Sequence, residues 1–561
     1  MSAPYRLRSV DPTRASALAR RIGASTTLGQ ILLHRGIEAP EEALDFLNPR
    51  LRDLCDPRSM LDLDRVVERI ADAIKRREPI VVFGDYDVDG TTSAAIMTLG
   101  IEAMGGEVKA LVANRAAGGY GLSAPALERC LAASPSLLIT CDCGSSDHPR
   151  VQEASARGVD VIVIDHHLVP DEELPAFAFL NPHQPGCAFP YKGFASAGLA
   201  FVVIARLRRA LEANFDVREL LDLVALGTVA DVAPLDGDNR RLVRAGLERL
   251  RTSERPGIEA LKKLANIRKG AQLGGRDIAF KLAPRLNAPG RIDDPQLTLS
   301  LLLERDPLRA KVYAEKIEAI NRRRREIADE ILKDAVERTV ALYGERPRSG
   351  LVIDGEGYHP GVLGIIASRL VDRFGVPAIV LGYEDGIALG SARRAGSINI
   401  HGAIADCAEH LIGFGGHEAA AGLRLEAGRV ADFREAFSER CRAPEETEPP
   451  PLDVDIEIGG AFDLPSVDEL GALEPLGEAN GSPLFALPAL VEEARTVGEG
   501  GAHLKLRLKV GRRFISGFAA NYSDEPPAQG QPVCAIGELG RNTFYGRDQL
   551  EISVERLIND P

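Results

Sequence analysis

Residues 80–92 read IVVFGDYDVDGTT: four apolar residues, a glycine, then carboxylates at three alternate positions, Asp85, Asp87 and Asp89. Three more segments repeat the pattern. SLLITCD places Asp142 after an apolar run, VDVIVIDHH places Asp165, His166 and His167 after another, and LDLVALGTVAD ends an apolar, helix-like stretch at Asp231. Apolar runs that alternate with helical periods build a parallel sheet, and ligands of such sheets sit at the carboxyl ends of the strands. The acidic and imidazole groups are therefore expected to converge on one cleft. Several carboxylates stay ionised together only when cations lie among them. Carboxylate oxygens with imidazole suit Mn²⁺ or Mg²⁺ better than zinc or copper. The expectation is two divalent cations about 3.5–4 Å apart, the arrangement suited to in-line displacement at phosphorus. Side chains at i and i+2 of an extended turn face one way, so Asp85, Asp87 and Asp89 are expected to point together.

Two other chemistries fit less well. A DxDxDG run can be a calcium loop, but the EF-hand form needs a Glu six positions after its glycine, and position 96 is Ile. Cys141 and Cys143 flank Asp142, yet a single CxC lacks a second Cys or His pair at zinc spacing.

The elements that must position these groups divide the chain into five parts. Residues 1–55 read as a polar helical lead-in, and 56–300 as an α/β unit with a parallel sheet. Residues 301–345 carry a connecting helix: positions 305–343 keep helical spacing with no Pro or Gly after Pro307, and a helix that long bridges domains. Arg322, Arg323, Arg324 and Arg325 on it read as a solvated face. A second α/β unit spans 346–444, with apolar strands at 351–353 and 377–382. After the Pro-rich acidic linker APEETEPPPLDVD comes a β-rich unit, 452–561, in which HLKLRLKV alternates strictly, Leu504, Leu506, Leu508 and Val510 against His503, Lys505, Arg507 and Lys509. A small barrel with one basic strand face suits single-stranded nucleic acid.

At 561 residues the chain exceeds one core, and 45% hydrophobic and 27% charged residues match a folded globular chain. A net charge of −14 excludes a protein that coats nucleic acid through a broad basic surface, though not one with a local basic groove. Eight scattered cysteines point to free thiols in a reducing compartment. With no run of about 18 apolar residues and no signal-like N-terminus, the expected location is the cytoplasm, without membrane contact. Aromatic residues are only 5%, with no Trp, so grip on a strand must rest largely on phosphate contacts.

The motifs GDYDVDGTTSA, TCDCG, DHH and LGTVADVAPL, in this order, resemble the DHH phosphoesterase superfamily. LPAFAFLNPHQPGCAFPYKGFASAGLAF and KLAPRLNAPGR look like its bacterial RecJ branch of single-strand-specific exonucleases; HPGVLGIIASRL, GSARR and GFGGHEAAAG resemble the accessory domain that follows. The resemblance implies a DHH domain, a DHH-associated domain and an oligonucleotide-binding barrel. It further implies 5′-to-3′ hydrolysis of single-stranded DNA to 5′ mononucleotides in DNA repair and recombination, with Mn²⁺ or Mg²⁺. It implies metal ligation by Asp87, Asp89, Asp142, His166 and Asp231, with Asp85 as ligand or support, His167 near the scissile phosphate, and Asp165 orienting its neighbours. Implied partners are single-strand-binding protein, a RecQ-type helicase and mismatch-repair factors, and the chain is expected to be a monomer. The rival readings are a phosphoesterase of small substrates and a binding protein that has lost its ligands; the barrel speaks against the first and the intact ligand set against the second.

Substrate contacts are expected in three places. ANRAAGGYGLS offers Arg115, a turn with Gly118, Gly119 and Gly121, and Tyr120 for stacking. In PRLNAPGR, Arg285, Asn287 and Arg291 can donate to phosphate oxygens. Gly415, Gly416 and His417 read as a phosphate-binding turn before a helix N-terminus, joined by Ser391 and Arg393.

Overall fold

The computed structural model describes residues 5–115, 119–442, 452–542 and 549–559; Gly118 and the linker stretch 443–451 lie outside them. Strand β1 (Tyr5–Leu7) precedes a parallel sheet of β2 (Ile80–Gly84), β3 (Val108–Val112), β4 (Leu137–Cys141), β5 (Asp160–Ile164) and β6 (Ala178–Leu180), in the order β3-β2-β4-β5-β6. Every residue of β2 and β4 is buried. Their unbroken apolar runs follow from two covered faces: Ile80 and Val82 enter one core with Val66, Ile70 and Leu199, whereas Val81 and Phe83 enter another with Leu127 and Val151. The chain leaves β2 to one side for β3 and returns on the other for β4. The order thus reverses between β2 and β4, where such sheets open a crevice beyond their strand ends.

The connecting helix runs Pro307–Tyr343, 37 residues and so about 55 Å at 1.5 Å per residue. Its first half buries Ala310, Ala314 and Ile317 in the core of the parallel-sheet unit, its second half Ala328, Ile331 and Ala335 in that of the next. That second unit holds β7 (Leu351–Gly355), β8 (Ala378–Glu384), β9 (Ile387–Arg393), β10 (Gly413–Gly416) and β11 (Ala420–Glu426), ordered β10-β11-β9-β8-β7 with only β7 and β8 parallel.

After β12 (Leu452–Val454) comes the barrel: β13 (Ile456–Glu457), β14 (Leu484–Val497), β15 (His503–Val510), β16 (Arg513–Ala519), β17 (Pro532–Asn542) and β18 (Gln549–Asn559), closed by pairing of β14 with β17. Leu504, Leu506, Leu508 and Val510 all face its interior, as their alternation predicts.

The N-terminal segment is not a separate lead-in. Helices Pro12–Ile22, Thr26–His34 and Pro40–Leu47 place Leu18, Leu28, Ile31 and Leu32 in the same core as Phe485, Leu487 and Leu506 of the barrel, and β1 pairs in parallel with β12. Three short helices bury too little apolar surface to stand alone; their partner lies more than 400 residues away, beyond any local pattern. Arg240 fastens this combined lobe to the parallel-sheet unit. Buried itself, it donates to the carbonyls of Phe46, Ala472 and Leu473, and its guanidinium stacks on Phe46 at 3.7 Å.

Candidate metal centre

Asp85 leaves the end of β2, and Asp87 then caps the helix Val88–Ala103, accepting the Gly90 N–H at 3.0 Å. Asp89 falls in the first helical turn. The three carboxylates therefore do not lie along one extended turn; strand end, cap and helix each aim one of them. Two glycines permit the tight passage: a Cβ on Gly84 would lie 2.3 Å from the Gly90 carbonyl oxygen, and one on Gly90 would lie 2.5 Å from the Asp85 nitrogen. Asp89 is turned inward, where it accepts the Ser196 and Ala197 N–H groups at 2.7 and 2.9 Å from the N-terminus of helix Ser196–Ala210.

Asp142 follows β4 with φ +63°, and Val232, directly after Asp231 at the end of helix Leu221–Ala230, has φ +61°. Left-handed backbone costs a non-glycine residue about 1–2 kcal/mol, most of all a β-branched one. Both strained positions adjoin or form the same cleft.

One oxygen each from Asp85, Asp87 and Asp142 lie within 4.8 Å of one another, as do donor atoms of Asp89, His166 and Asp231, and those of Asp142, His166 and His167. Two separate three-ligand sets thus stand side by side, bridged where His166 Nε2 comes 3.2 Å from Asp142 Oδ1. Both bridging atoms are buried without a hydrogen-bond partner. Oxygen-rich sets with one imidazole, orphaned and converging, fit two hard divalent cations.

Electrostatics agree. Burial, then the neighbouring Asp87, pushes Asp85 and Asp142 well above the usual carboxylate range and Asp89 to about 7. Burial and the charges of Asp89 and Asp87 raise Asp231 to about 9. Burial and mutual repulsion thus disfavour the charged forms of Asp85, Asp89, Asp142 and Asp231, a cost that bound cations would offset. The histidines separate in the opposite sense. Burial and the adjacent His167 drop His166 to about 4, leaving its imidazole neutral and fit to ligate. Burial also acts against a charge on His167, but the Asp165 hydrogen bond at 2.7 Å overcomes it and raises the pKa to about 9. Asp165 itself is buried, yet the bond from His167 keeps it below the usual range, and it also accepts the N–H groups of Ser145, His166 and His167. It thereby holds the His167 ring directly and the His166 backbone through its N–H. The Tyr120 hydroxyl lies 3.3 Å from His167, and the residue is 54% exposed beside the cleft.

The expected substrate residues divide. Arg115, Arg291 and Arg393 gather where the parallel-sheet unit meets the second unit, and Arg324 of the connecting helix joins them. Burial, then the charges of Arg115 and Arg324, lowers Arg291 to about 10. Among the described residues none of these four guanidiniums forms a carboxylate ion pair; Arg291 has the Gly361 carbonyl at 3.3 Å, and Arg324 the Asn321 side chain at 2.9 Å. Arg324 does not sit on a solvated face. It lies on the helix stripe Ile317, Asn321, Ala328, Ile331, Ala335 that is otherwise buried, and an arginine on such a stripe was the available signal. Ser391 lies two residues before Arg393 on β9, and Gly415, opposite Gly422 and hence in the Ser391 row, shares their face of the sheet.

Arg285 is elsewhere. It is buried against the connecting helix in an ion pair with Glu318 at 2.6 Å, and supports packing rather than phosphate. Asn287 is half-buried in the same segment. Gly415 and Gly416 do not precede a helix: they form β10, and His417 turns the chain into β11, its N–H bonded to the Ala420 carbonyl at 2.9 Å. Leu423 and Leu425 alternate with Arg424 and Glu426, so sheet burial overrides the helix propensity of EAAAG.

Comparison with known proteins matches these units one by one. A model of the DHH family N-terminal domain fits residues 79–228, one of the DHHA1 domain residues 348–443, and one of the RecJ OB domain residues 452–556. The chain is 37% identical, over 97% of its length and 96% of theirs, to the single-stranded-DNA-specific exonuclease RecJ of Dickeya dadantii, and 34% identical to that of Escherichia coli over 98% of both. No described helix is long and apolar enough to cross a membrane. RecJ of Thermus thermophilus in complex with Mn²⁺ superposes with a TM-score of 0.82 at 28% identity, over 99% of this chain and 79% of that one; its Mg²⁺ complex gives 0.76 at 27%, over 99% and 78%.

Proposed function

The chain belongs to the RecJ family of single-stranded-DNA-specific exonucleases, and from that premise we propose that it hydrolyses single-stranded DNA from the 5′ end to 5′ mononucleotides, using two divalent cations. The observation that carries this reading is the pairing of two adjacent ligand sets with an arginine cluster that has no carboxylate partners. Asp85, Asp87 and Asp142 would hold one ion and Asp89, His166 and Asp231 the other, as Mn²⁺ or Mg²⁺. Such ions supply a nucleophilic water at neutral pH and charge neutralisation at phosphorus.

The chain's own groups account for the rest. The four guanidiniums bring more positive charge than one phosphodiester can match, which favours a terminal phosphate monoester carrying about two negative charges. That fixes the strand by its 5′ end, one nucleotide from the scissile bond. Tyr120 offers a face to the terminal base. His167, protonated near neutrality and steered by Asp165, donates a hydrogen bond to a phosphoryl oxygen. The P–O bond to the 3′ oxygen of the first nucleotide breaks as water's oxygen bonds to phosphorus, so the shortened strand again ends in a 5′ phosphate. The remaining strand has a groove of about 1760 Å³ between the barrel and the parallel-sheet unit, lined by Lys505, Arg507, Phe514, Phe518, Arg244 and Arg268.

Digestion of single-stranded DNA labelled at either end, in Mn²⁺, tests the reading. Mononucleotide should appear at once from the 5′ label and not from the 3′ label, and Asp142→Ala should abolish it. Early release from the 3′ label, or an active Asp142→Ala enzyme, would overturn it.

A further inference from the structure

Tyr86 lies between two carboxylates of the first ligand set, Asp85 and Asp87, yet its side chain serves the arginine cluster. The phenol oxygen accepts from Arg115 Nη2 at 2.9 Å, and the Arg115 guanidinium lies over the ring, 5.1 Å from its centroid. Tyr86 also meets the cluster's other arm. Its carbonyl oxygen packs so closely on the PRLNAPGR segment that a Cβ on Gly290 would come within 2.6 Å of it, and Gly290 immediately precedes Arg291. The two arms join on the second unit: Arg115 Nη1 reaches the Pro360 carbonyl at 3.5 Å, and Arg291 the next carbonyl, Gly361, at 3.3 Å. One residue inside the metal loop thus touches Arg115 through its side chain and the Arg291 segment through its backbone.

The choice of partner matters. A carboxylate at this point would hold Arg115 more firmly but would cancel a charge of the cluster and repel a phosphate. A phenol attracts the guanidinium through ring and oxygen while leaving its charge intact. When a phosphate draws Arg115 toward it, the pull passes through the phenol to a peptide flanked on both sides by ligands. We infer that Tyr86 is a positioning residue that couples a terminal phosphate in the arginine cluster to the Asp85 and Asp87 arm of the metal centre. The inference rests on the proposed function's reading of the cluster as the phosphate pocket. Coupling of this kind is reciprocal: a phosphorylated end tightens the cation site by the same factor by which cations tighten the phosphorylated end. An end bearing only a hydroxyl leaves the arm unloaded.

Tyr86→Phe tests this, since it keeps the ring and its packing and removes only the hydroxyl. Mn²⁺ binding is measured calorimetrically with saturating oligonucleotide whose first linkage is a non-hydrolysable methylphosphonate and whose 5′ end is phosphate or hydroxyl. Fluorescence anisotropy with chelator gives the affinity of each oligonucleotide without cations. The wild type should bind Mn²⁺ about 10-fold more tightly beside the phosphorylated end. In Tyr86→Phe the two Mn²⁺ affinities should agree within about twofold, although the phosphorylated oligonucleotide still binds more tightly in chelator. A variant that keeps the wild-type difference, or a wild type whose Mn²⁺ affinity ignores the phosphate, overturns the coupling with the pocket intact. Equal binding of both oligonucleotides to the wild type in chelator overturns the pocket itself, and the coupling with it.

Discussion

Stripped of cations, the protein should lose stability as pH rises from 6.5 to 9, and Mn²⁺ should restore more of it the higher the pH. Asp231 carries the argument. Burial, reinforced by Asp89 and Asp87, raises its pKa from 3.8 to about 9 on folding. A carboxyl raised in this way contributes stability that is complete below the unfolded pKa and drains as pH climbs toward the folded one. Through the whole window the folded protein therefore binds about one proton more than the unfolded chain at this site. The slope is about 1.4 kcal/mol per pH unit, or roughly 3 kcal/mol across the window. At about 2–4 °C per kcal/mol for a domain of this size, the melting temperature in chelator should fall by roughly 6–12 °C. His167, raised to about 9, acts in the same direction above its unfolded pKa of 6.5, whereas Asp165, held low, matters only in acid. Differential scanning fluorimetry in chelator and in Mn²⁺, on the wild type and on Asp231→Asn, measures the trend. Asp231→Asn should make the chelator profile shallower, leaving the share that His167 contributes. A wild-type melting temperature in chelator that holds level or rises over this window, or an Asp231→Asn profile that superimposes on it, would refute the reasoning.

Asp142→Asn should cost at least about a thousandfold in kcat while raising the melting temperature of the chelated protein at high pH, because it removes a buried carboxyl whose ionisation four neighbouring carboxylates oppose; an unchanged or lower melting temperature there counts against the crowding described above. Gly227→Ala should inactivate, since its Cβ would lie 2.4 Å from Thr92 Oγ1 and 2.7 Å from Asp89 Oδ1 and must displace that ligand; calorimetry should show one Mn²⁺ site weakened more than the other. Arg285→Met should destabilise by about 3 kcal/mol in denaturant titration by stranding Glu318, yet leave the ratio of activity on 5′-phosphate and 5′-hydroxyl ends as in wild type. For Phe518→Ala, lengthening the substrate from four to twenty nucleotides should lower KM about 10-fold less than in the wild type, because base stacking worth about 1–3 kcal/mol is lost from the groove.

The candidate metal centre was legible because a buried parallel strand can expose chemistry only at its end. Val82 and Phe83, Thr140 and Cys141, Val163 and Ile164 are all buried, and the residues just past them are Asp85, Asp142 and the Asp165 to His167 run. Asp231 followed the same logic from a helix. What stayed illegible depended on a partner distant in sequence. Arg285 and Arg291 stand six residues apart in one motif with the same apparent purpose, and only Glu318 on the connecting helix decides that the first is structural and the second faces other arginines. The three N-terminal helices look solvated until a barrel more than 400 residues later receives them. Arg324 is the instructive intermediate. Its stripe was readable from the sequence, as Ile317, Ala328, Ile331 and Ala335 recur at helical spacing with Asn321 and Arg324 among them. A guanidinium on a packed stripe must find an acid, a carbonyl or a ligand. Here Asn321 takes one amino group, Asp329 acts only from beyond ion-pair distance, and the buried Nε has no hydrogen-bond partner, which leaves room for the anion of the proposed function. The same reasoning explains why the cluster sits at the junction of two units and not within one. A single core would have to bury that uncompensated charge permanently, whereas a seam would let the phosphate of the proposed function enter, meet it and leave with each nucleotide removed.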